Sequence, residues 1–267
     1  MSIVNDKYFS ESGRLIVQTQ FKNAKPFPHI ALDNFIDEKI AKSLYQNFPR
    51  IENMRKSFDG YNENKSEDSS FENLHEDFIQ VKNLFHSTEF LQWLEFVTGI
   101  KGLMIPNDFR GAGLHQGKNG SFLDVHVDFS VHSTLNKHRR LNVLIFLNDE
   151  WKEEWGGLLE LWNKDVTVCE HYINPILNRC VIFECSEISF HGYDKITCPE
   201  NQTRKSFYGY FYTDVAPNVK YHDTIFKARP TEGVKKKVLT DLKETSKNMI
   251  KKTFHALGFK SFFEKTE

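Results

Sequence analysis

Residues 26–50, PFPHIALDNFIDEKIAKSLYQNFPR, begin as a short extended segment and then switch to helical spacing, with Phe35 or Ile36, Ile40, Leu44 and Phe48 on one side. Asp37 stands where a carboxylate caps a first helical turn. The next stretch, SFDGYNENKSEDSSFEN at 57–73, has few apolar anchors and many turn formers. It is expected to be a long loop, either a solvated connection or a mobile lid. Helical spacing returns from Asp77 to Thr98 and stops at Gly99.

After Gly102 the pattern changes to short alternating or aromatic runs cut by Gly, Asn and Pro: SFLDVHVDF, RRLNVLIFLN, GGLLELW, RCVIFEC and SFYGYFYT. These read as strands, and without long helices between them they predict an antiparallel barrel or jelly roll. From Val234 to Glu267 the spacing is helical again. The expected organisation is therefore one domain over 1–267, mainly β with flanking α-helices. Residues 1–100 form a helical segment packed on the barrel, 101–215 the β core, and 216–267 a basic helical extension.

The 24 Phe and 9 Tyr among 267 residues point to a core built on rings. A formal charge of -1 supplies no global field toward nucleic acid or an anionic membrane. The tail is locally basic, with nine lysines against four carboxylates, which suits a packed terminal helix or attraction to a polyanionic surface. Cys169, Cys180, Cys185 and Cys198 form no C-x-x-C pair, and MSIVNDKYFS lacks the pattern of a secretion signal. A cytoplasmic, soluble protein is expected, with no apolar run near the roughly 20 residues of a transmembrane segment.

Residues 126–132, HVDFSVH, place two histidines and an aspartate in an apolar setting, where each is costly to bury unless paired. On a strand, His126 and Asp128 share a face while Val125 and Val127 take the other, which suits two ligands of one ion. A second H-x-D, His75 to Asp77, adjoins a helical segment where such side chains diverge. Two histidines and one carboxylate leave three adjacent positions free on Fe(II), so a third ligand is required from a later strand. His191, ending an apolar run and followed by glycine, is the best candidate. His171 and His222 lie in more polar surroundings, and His132 and His138 in an expected turn.

In TRKSFYGYFYT, Arg204, Ser206, Tyr208, Tyr210 and Tyr212 share one strand face, with Lys205 on the other. A guanidinium pointing into a barrel needs an anion, and its planar fork matches a carboxylate, to which Ser206 could also donate. The plain alternative is an internal salt bridge.

In these features the chain resembles the 2-oxoglutarate- and Fe(II)-dependent dioxygenases of the prolyl 4-hydroxylase-like branch. The resemblance rests on His126-x-Asp128, the strand at 139–148, Gly156-Gly157 before LELW, His191-Gly192 and Arg204-x-Ser206, in that order. It covers about residues 100–213, and PFPHIALDNFI extends it to about residue 26. It implies a double-stranded β-helix, cupin-like, holding Fe(II) through His126, Asp128 and His191. The distal carboxylate of 2-oxoglutarate would then meet Arg204 and Ser206. Such enzymes consume dioxygen, release succinate and carbon dioxide, and hydroxylate an unactivated C–H bond.

The family often has a co-substrate tyrosine on the strand before H-x-D; here the counterpart is His115. Asn142 is expected to face the same cavity, and Asp124 to be either a hydrogen-bond acceptor behind the ligands or solvated. Phe129, Trp162 and Phe183 are expected in the core, with substrate clamps as the alternative. The expected substrate is a small molecule, a sugar or an amino acid. Alternatives are a peptidyl proline, or a cupin-like metal- or sugar-binding protein without redox chemistry. Substrate contacts are expected from loops 57–73, 103–122 and 129–138.

Overall fold

The computed structural model describes residues 3–109 and 111–240. Its helices are α1 (Asp6–Phe9), α2 (Glu11–Asn23), α3 (Glu38–Gln46), α4 (Glu76–His86) and α5 (Thr88–Thr98). Interleaved with them are β1 (His29–Asp33), β2 (Lys56–Asp59) and β3 (Glu63–Asp68). The rest is mainly strand: β4 (Gly113–Gly117), β5 (Phe122–Val127), β6 (Lys137–Phe146), β7 (Leu159–Trp162), β8 (Cys169–Ile173), β9 (Arg179–Glu184), β10 (His191–Tyr193), β11 (Arg204–Asp214) and β12 (Ile225–Phe226).

Asp37 caps α3 as expected, its Oδ1 accepting from the amides of Lys39 and Ile40. The expected single helix from 77 to 98 is two. Ser87 adopts an extended ψ of 140° and its Oγ accepts from the Phe90 amide, which ends α4 and starts α5. Gly99, at φ 78°, then closes α5 in the left-handed conformation.

These helices pack a ring-rich layer onto β11. Phe85 lies 5.4 Å from Phe207 and 5.6 Å from Phe211, centroid to centroid. Gly209 makes the approach possible, because a Cβ there would lie 2.8 Å from the Phe85 ring. Phe78, Phe85, Phe90, Phe207 and Phe211 are all fully buried, and each such ring contributes about 2–3 kcal/mol of transfer free energy.

The strands form one antiparallel sheet in the order β1-β9-β6-β11-β4-β3-β5-β10-β7-β8, with β2 added to β3 and β12 to β5. The sheet curls on itself. β10 and β11 are far apart in that order, yet the guanidinium of Arg204 on β11 lies 4.3 Å from the ring centre of Tyr193 on β10. The result is the expected jelly roll, a nearly closed antiparallel barrel of double-stranded β-helix type.

Three expected stretches differ. Residues 57–73 hold the β2–β3 hairpin rather than a loop, with Lys56 opposite Glu67 and β3 inserted between β4 and β5. Its pattern was masked because Glu63, Lys65 and Glu67 face a polar cavity instead of an apolar core. The 103–122 stretch likewise contains β4, every residue of which is buried. In the extension, 216–233 has little regular structure beyond β12, while the expected helix does begin at 234; residues 241–267 lie outside the described residues. Among the described residues no helix is long and apolar enough to cross a membrane. All four cysteines are free.

Candidate metal and co-substrate site

β5 and β10 run antiparallel with His126 opposite His191, and their rings lie 4.3 Å apart. That closeness depends on Gly192, where a Cβ would lie 2.7 Å from the Leu123 carbonyl oxygen and 3.0 Å from that of Asp124. Val125 and Val127, on the other face of β5, pack against Trp162, Val166 and Phe190. The alternation thus turns His126 and Asp128 toward His191.

Ligand atoms of His126, Asp128 and His191 all lie within 4.8 Å of one another. Nε2 of His126 is 3.7 Å from Asp128 Oδ1, and Nε2 of His191 is 3.8 Å from Oδ2. Each imidazole is oriented from behind. Nδ1 of His126 lies 2.9 Å from the Asp124 carbonyl oxygen, and Nδ1 of His191 lies 3.0 Å from that of Ser189. With Nδ1 donating, each Nε2 lone pair is directed at the shared centre.

Burial opposes ionisation of Asp128, but Arg139 and the two histidines outweigh it and hold the carboxyl far below its usual range. Burial, then the neighbouring His126, pulls His191 down to about 4. An ionised carboxylate beside a neutral imidazole is the protonation state a divalent metal needs. Oδ2 of Asp128 is buried without a hydrogen-bond partner. Two imidazole nitrogens and a carboxylate with one unpartnered oxygen form a donor set that fits Fe(II).

The same cavity, about 380 Å3, is lined by His115, Asn142, Tyr193 and Arg204 as well as the three ligands. Arg204 is buried, its Nε donating to the Gly157 carbonyl at 2.6 Å and its guanidinium stacked on Tyr193 and Phe146. No carboxylate among the described residues pairs with it, so the internal salt bridge is not formed. Burial pushes its pKa down to about 10. Ser206 Oγ and Asn142 Oδ1 are buried without partners. His115, opposite Ser206 in the β4–β11 register, has Nε2 3.1 Å from the Tyr193 hydroxyl. Burial, followed by Lys65 and Arg204, holds His115 well below 6.5.

Several sequence expectations need correction. The Asp124 carboxylate is neither solvated nor turned to the ligands; it is buried and binds Arg229 and Lys236, at 3.2 and 2.8 Å. Only its backbone carbonyl serves His126. His132 is in a turn but fully enclosed, its ring edge-on to Tyr212. His138 belongs to β6. As expected, His171, exposed on β8, and His222 are not among the converging ligands. Trp162 and Phe183 are core, whereas Phe129 lines the cavity.

Sequence reasoning missed Arg139, Tyr193 and Tyr210. Arg139 is sandwiched between Phe129 and Tyr210, 3.4 and 3.5 Å from their ring centres, with Nη1 3.1 Å from Asp128 Oδ1. The Tyr210 hydroxyl donates to the same oxygen at 3.2 Å. The position of Tyr210 on the Arg204 face was the one available signal. Nothing local marks Tyr193, which meets Arg204 only because the sheet closes.

Comparison with known proteins bears on this arrangement. The sequence profile of the 2OG-Fe(II) oxygenase superfamily matches residues 112–212, which include all three converging ligands and Arg204. Mouse (Mus musculus) prolyl 3-hydroxylase OGFOD1 is 26% identical over 192 residues, 70% of this chain and 33% of that protein. The chain thus spans about a third of the length of this relative. Among solved structures, a prolyl hydroxylase from Trichoplax adhaerens, in complex with a hypoxia inducible factor oxygen degradation domain peptide fragment, matches 80% of this chain and 96% of its own. Its TM-score is 0.54 at 14% identity. An oxidoreductase of the 2OG-Fe(II) oxygenase family from Burkholderia pseudomallei matches 76% and 91%, with TM-score 0.51 and 14% identity. Both share the fold.

Proposed function

We propose, on the premise that residues 112–212 are a 2-oxoglutarate/Fe(II) oxygenase core of the prolyl 4-hydroxylase-like branch, that the protein is a dioxygenase hydroxylating an unactivated C–H bond. The supporting observation is the convergence of His126, Asp128 and His191 in one cavity with an arginine that pairs with no carboxylate among the described residues.

In this reading His126, Asp128 and His191 hold Fe(II). The Asp124 and Ser189 carbonyls keep both imidazoles in the required tautomer, while Arg139 and Tyr210 fix the Asp128 carboxylate. Arg204 would receive the distal carboxylate of 2-oxoglutarate, and the orphaned hydroxyl of Ser206 would add a donor. Tyr193 and His115 flank the same end, so a tyrosine from β10 stands beside the histidine on β4. Asn142 adds a polar group to the cavity wall. Bound iron supplies the redox chemistry that couples dioxygen to decarboxylation of the 2-oxo acid, giving succinate, carbon dioxide and a hydroxylated product.

The substrate is read as a small molecule, such as a sugar or an amino acid. A peptidyl proline is the second reading, favoured by the name of the matched mouse protein. Free cysteines suit a cytoplasmic location. Stoichiometric succinate formation from 2-oxoglutarate, Fe(II) and oxygen tests the class; its absence would favour a cupin-like binding protein. Turnover of proline peptides against metabolite pools separates the two substrate readings.

A further inference from the structure

β3 brings a charged row to the cavity that holds the three ligands. Lys65 Nζ lies 3.2 Å from Glu63 Oε2 and 2.6 Å from Glu67 Oε1, and all three residues line the cavity. Burial disfavours the Lys65 charge, yet the two carboxylates prevail and raise its pKa. One ammonium shared by two carboxylates leaves this wall with excess negative charge.

Of the other cavity cations, one faces an anion of the protein and one is assigned to the co-substrate on the dioxygenase reading. Arg139 faces Asp128, and Arg204 is reserved for the co-substrate carboxylate. Phe58, Tyr208, Tyr210 and Phe226 contribute ring faces to the same space. Such faces attract cations, as the 5.1 Å approach of Lys65 Nζ to the Phe58 ring illustrates. Asn142 contributes a side-chain amide to the same cavity wall. The carboxylate in excess on this wall and the aromatic rings beside it match a cation that carries N–H donors.

We propose that the β2–β3 hairpin selects substrates bearing a protonated amine or guanidinium, recognised by Glu63 and Glu67. The proposal rests on the dioxygenase reading and names the substrate class within it.

The test is equilibrium binding by calorimetry to the full chain loaded with Mn(II) and 2-oxoglutarate, so that no turnover is needed. The probes are the Nα-acetylated forms of arginine amide, its neutral isostere citrulline amide, and glutamate amide, so that the side chain alone carries charge. Arginine amide is expected to bind about tenfold or more tightly than either of the others. Glu63→Gln and Glu67→Gln, each close in shape to the original, are expected to weaken it about fivefold or more while retaining the wild-type circular dichroism spectrum. Equal binding of arginine and citrulline amides, preference for glutamate amide, failure of arginine amide to bind, or folded Gln variants with undiminished affinity would each overturn the proposal. If the chain loaded instead with Fe(II) under oxygen forms no succinate from 2-oxoglutarate while arginine amide still binds, the dioxygenase reading alone fails.

Discussion

Arg139 and Asp128 form a buried ion pair, Nη1 to Oδ1 at 3.1 Å, at the carboxylate that faces both converging histidines. The contact is ionic rather than an aligned hydrogen bond, since Nη1 lacks hydrogen-bond geometry to any acceptor. Arg139→Gln would leave Asp128 with an uncompensated buried charge, costing about 3–5 kcal/mol in the metal-free protein. A bound divalent cation supplies the missing charge. The variant should therefore gain more melting temperature from added Mn(II) than the wild type does, and equal gains in differential scanning calorimetry would contradict this role.

Removal of a converging ligand should act more directly. His126→Ala or Asp128→Ala is expected to lower metal affinity by about 100-fold or more and to abolish metal-dependent succinate formation. Unchanged coupled decarboxylation in either variant would count against the triad.

Arg204 carries a charge that no carboxylate among the described residues neutralises. The depression of its pKa from 12.5 to about 10 corresponds to roughly 3 kcal/mol. Because that cost persists at every pH below about 10, a dicarboxylate that relieves it should stabilise the protein at neutral pH. Arg204→Lys keeps the charge but loses the fork, so the 2-oxoglutarate requirement should rise about tenfold or more and the ligand-induced melting shift should shrink. An unaltered saturation curve would exclude the contact.

His115 is buried and held neutral by burial, Lys65 and Arg204. Its folded pKa lies below its unfolded value near 6.5, so the unfolded chain takes up the proton first as pH falls. Stability should drop below pH 6.5, this one group contributing up to about 1.4 kcal/mol per pH unit. His115→Gln should flatten the decline, as read by urea unfolding at pH 6.5 and 5.5.

Gly192→Ala would set a methyl group against two backbone carbonyl oxygens of β5, which cannot yield as a side chain could. Strands β5 and β10 would separate at the His126–His191 pair. Metal affinity should fall by about tenfold or more with the ligands themselves intact, measurable by competition with a chelator. Wild-type affinity would mean that the strands already tolerate a wider gap.

What could be read from the residues followed the physics of alternation. His126 and Asp128 were legible because period two is enforced by Val125 and Val127 packing behind them, and His191 because an apolar run ends there. Arg204 was legible as a charge on an inward face. Arg139 was not, since a charge at the start of RRLNVLIFLN looks like an exposed strand end until Phe129 and Tyr210 close over it. β3 escaped for the opposite reason: its inward face meets a polar cavity, so Glu63, Lys65 and Glu67 imitate a solvated loop. Tyr193 needed barrel closure, which no local pattern encodes.

The placement of β1 and β3 bears on how the chain can be cut. β1 pairs along β9, and β3 bridges β4 and β5. A fragment starting at residue 101 would lose both, baring the backbone amides and carbonyls of three strands in place of a finished rim. Such raw edges recruit other chains, so the shortened protein should clump rather than fold by itself.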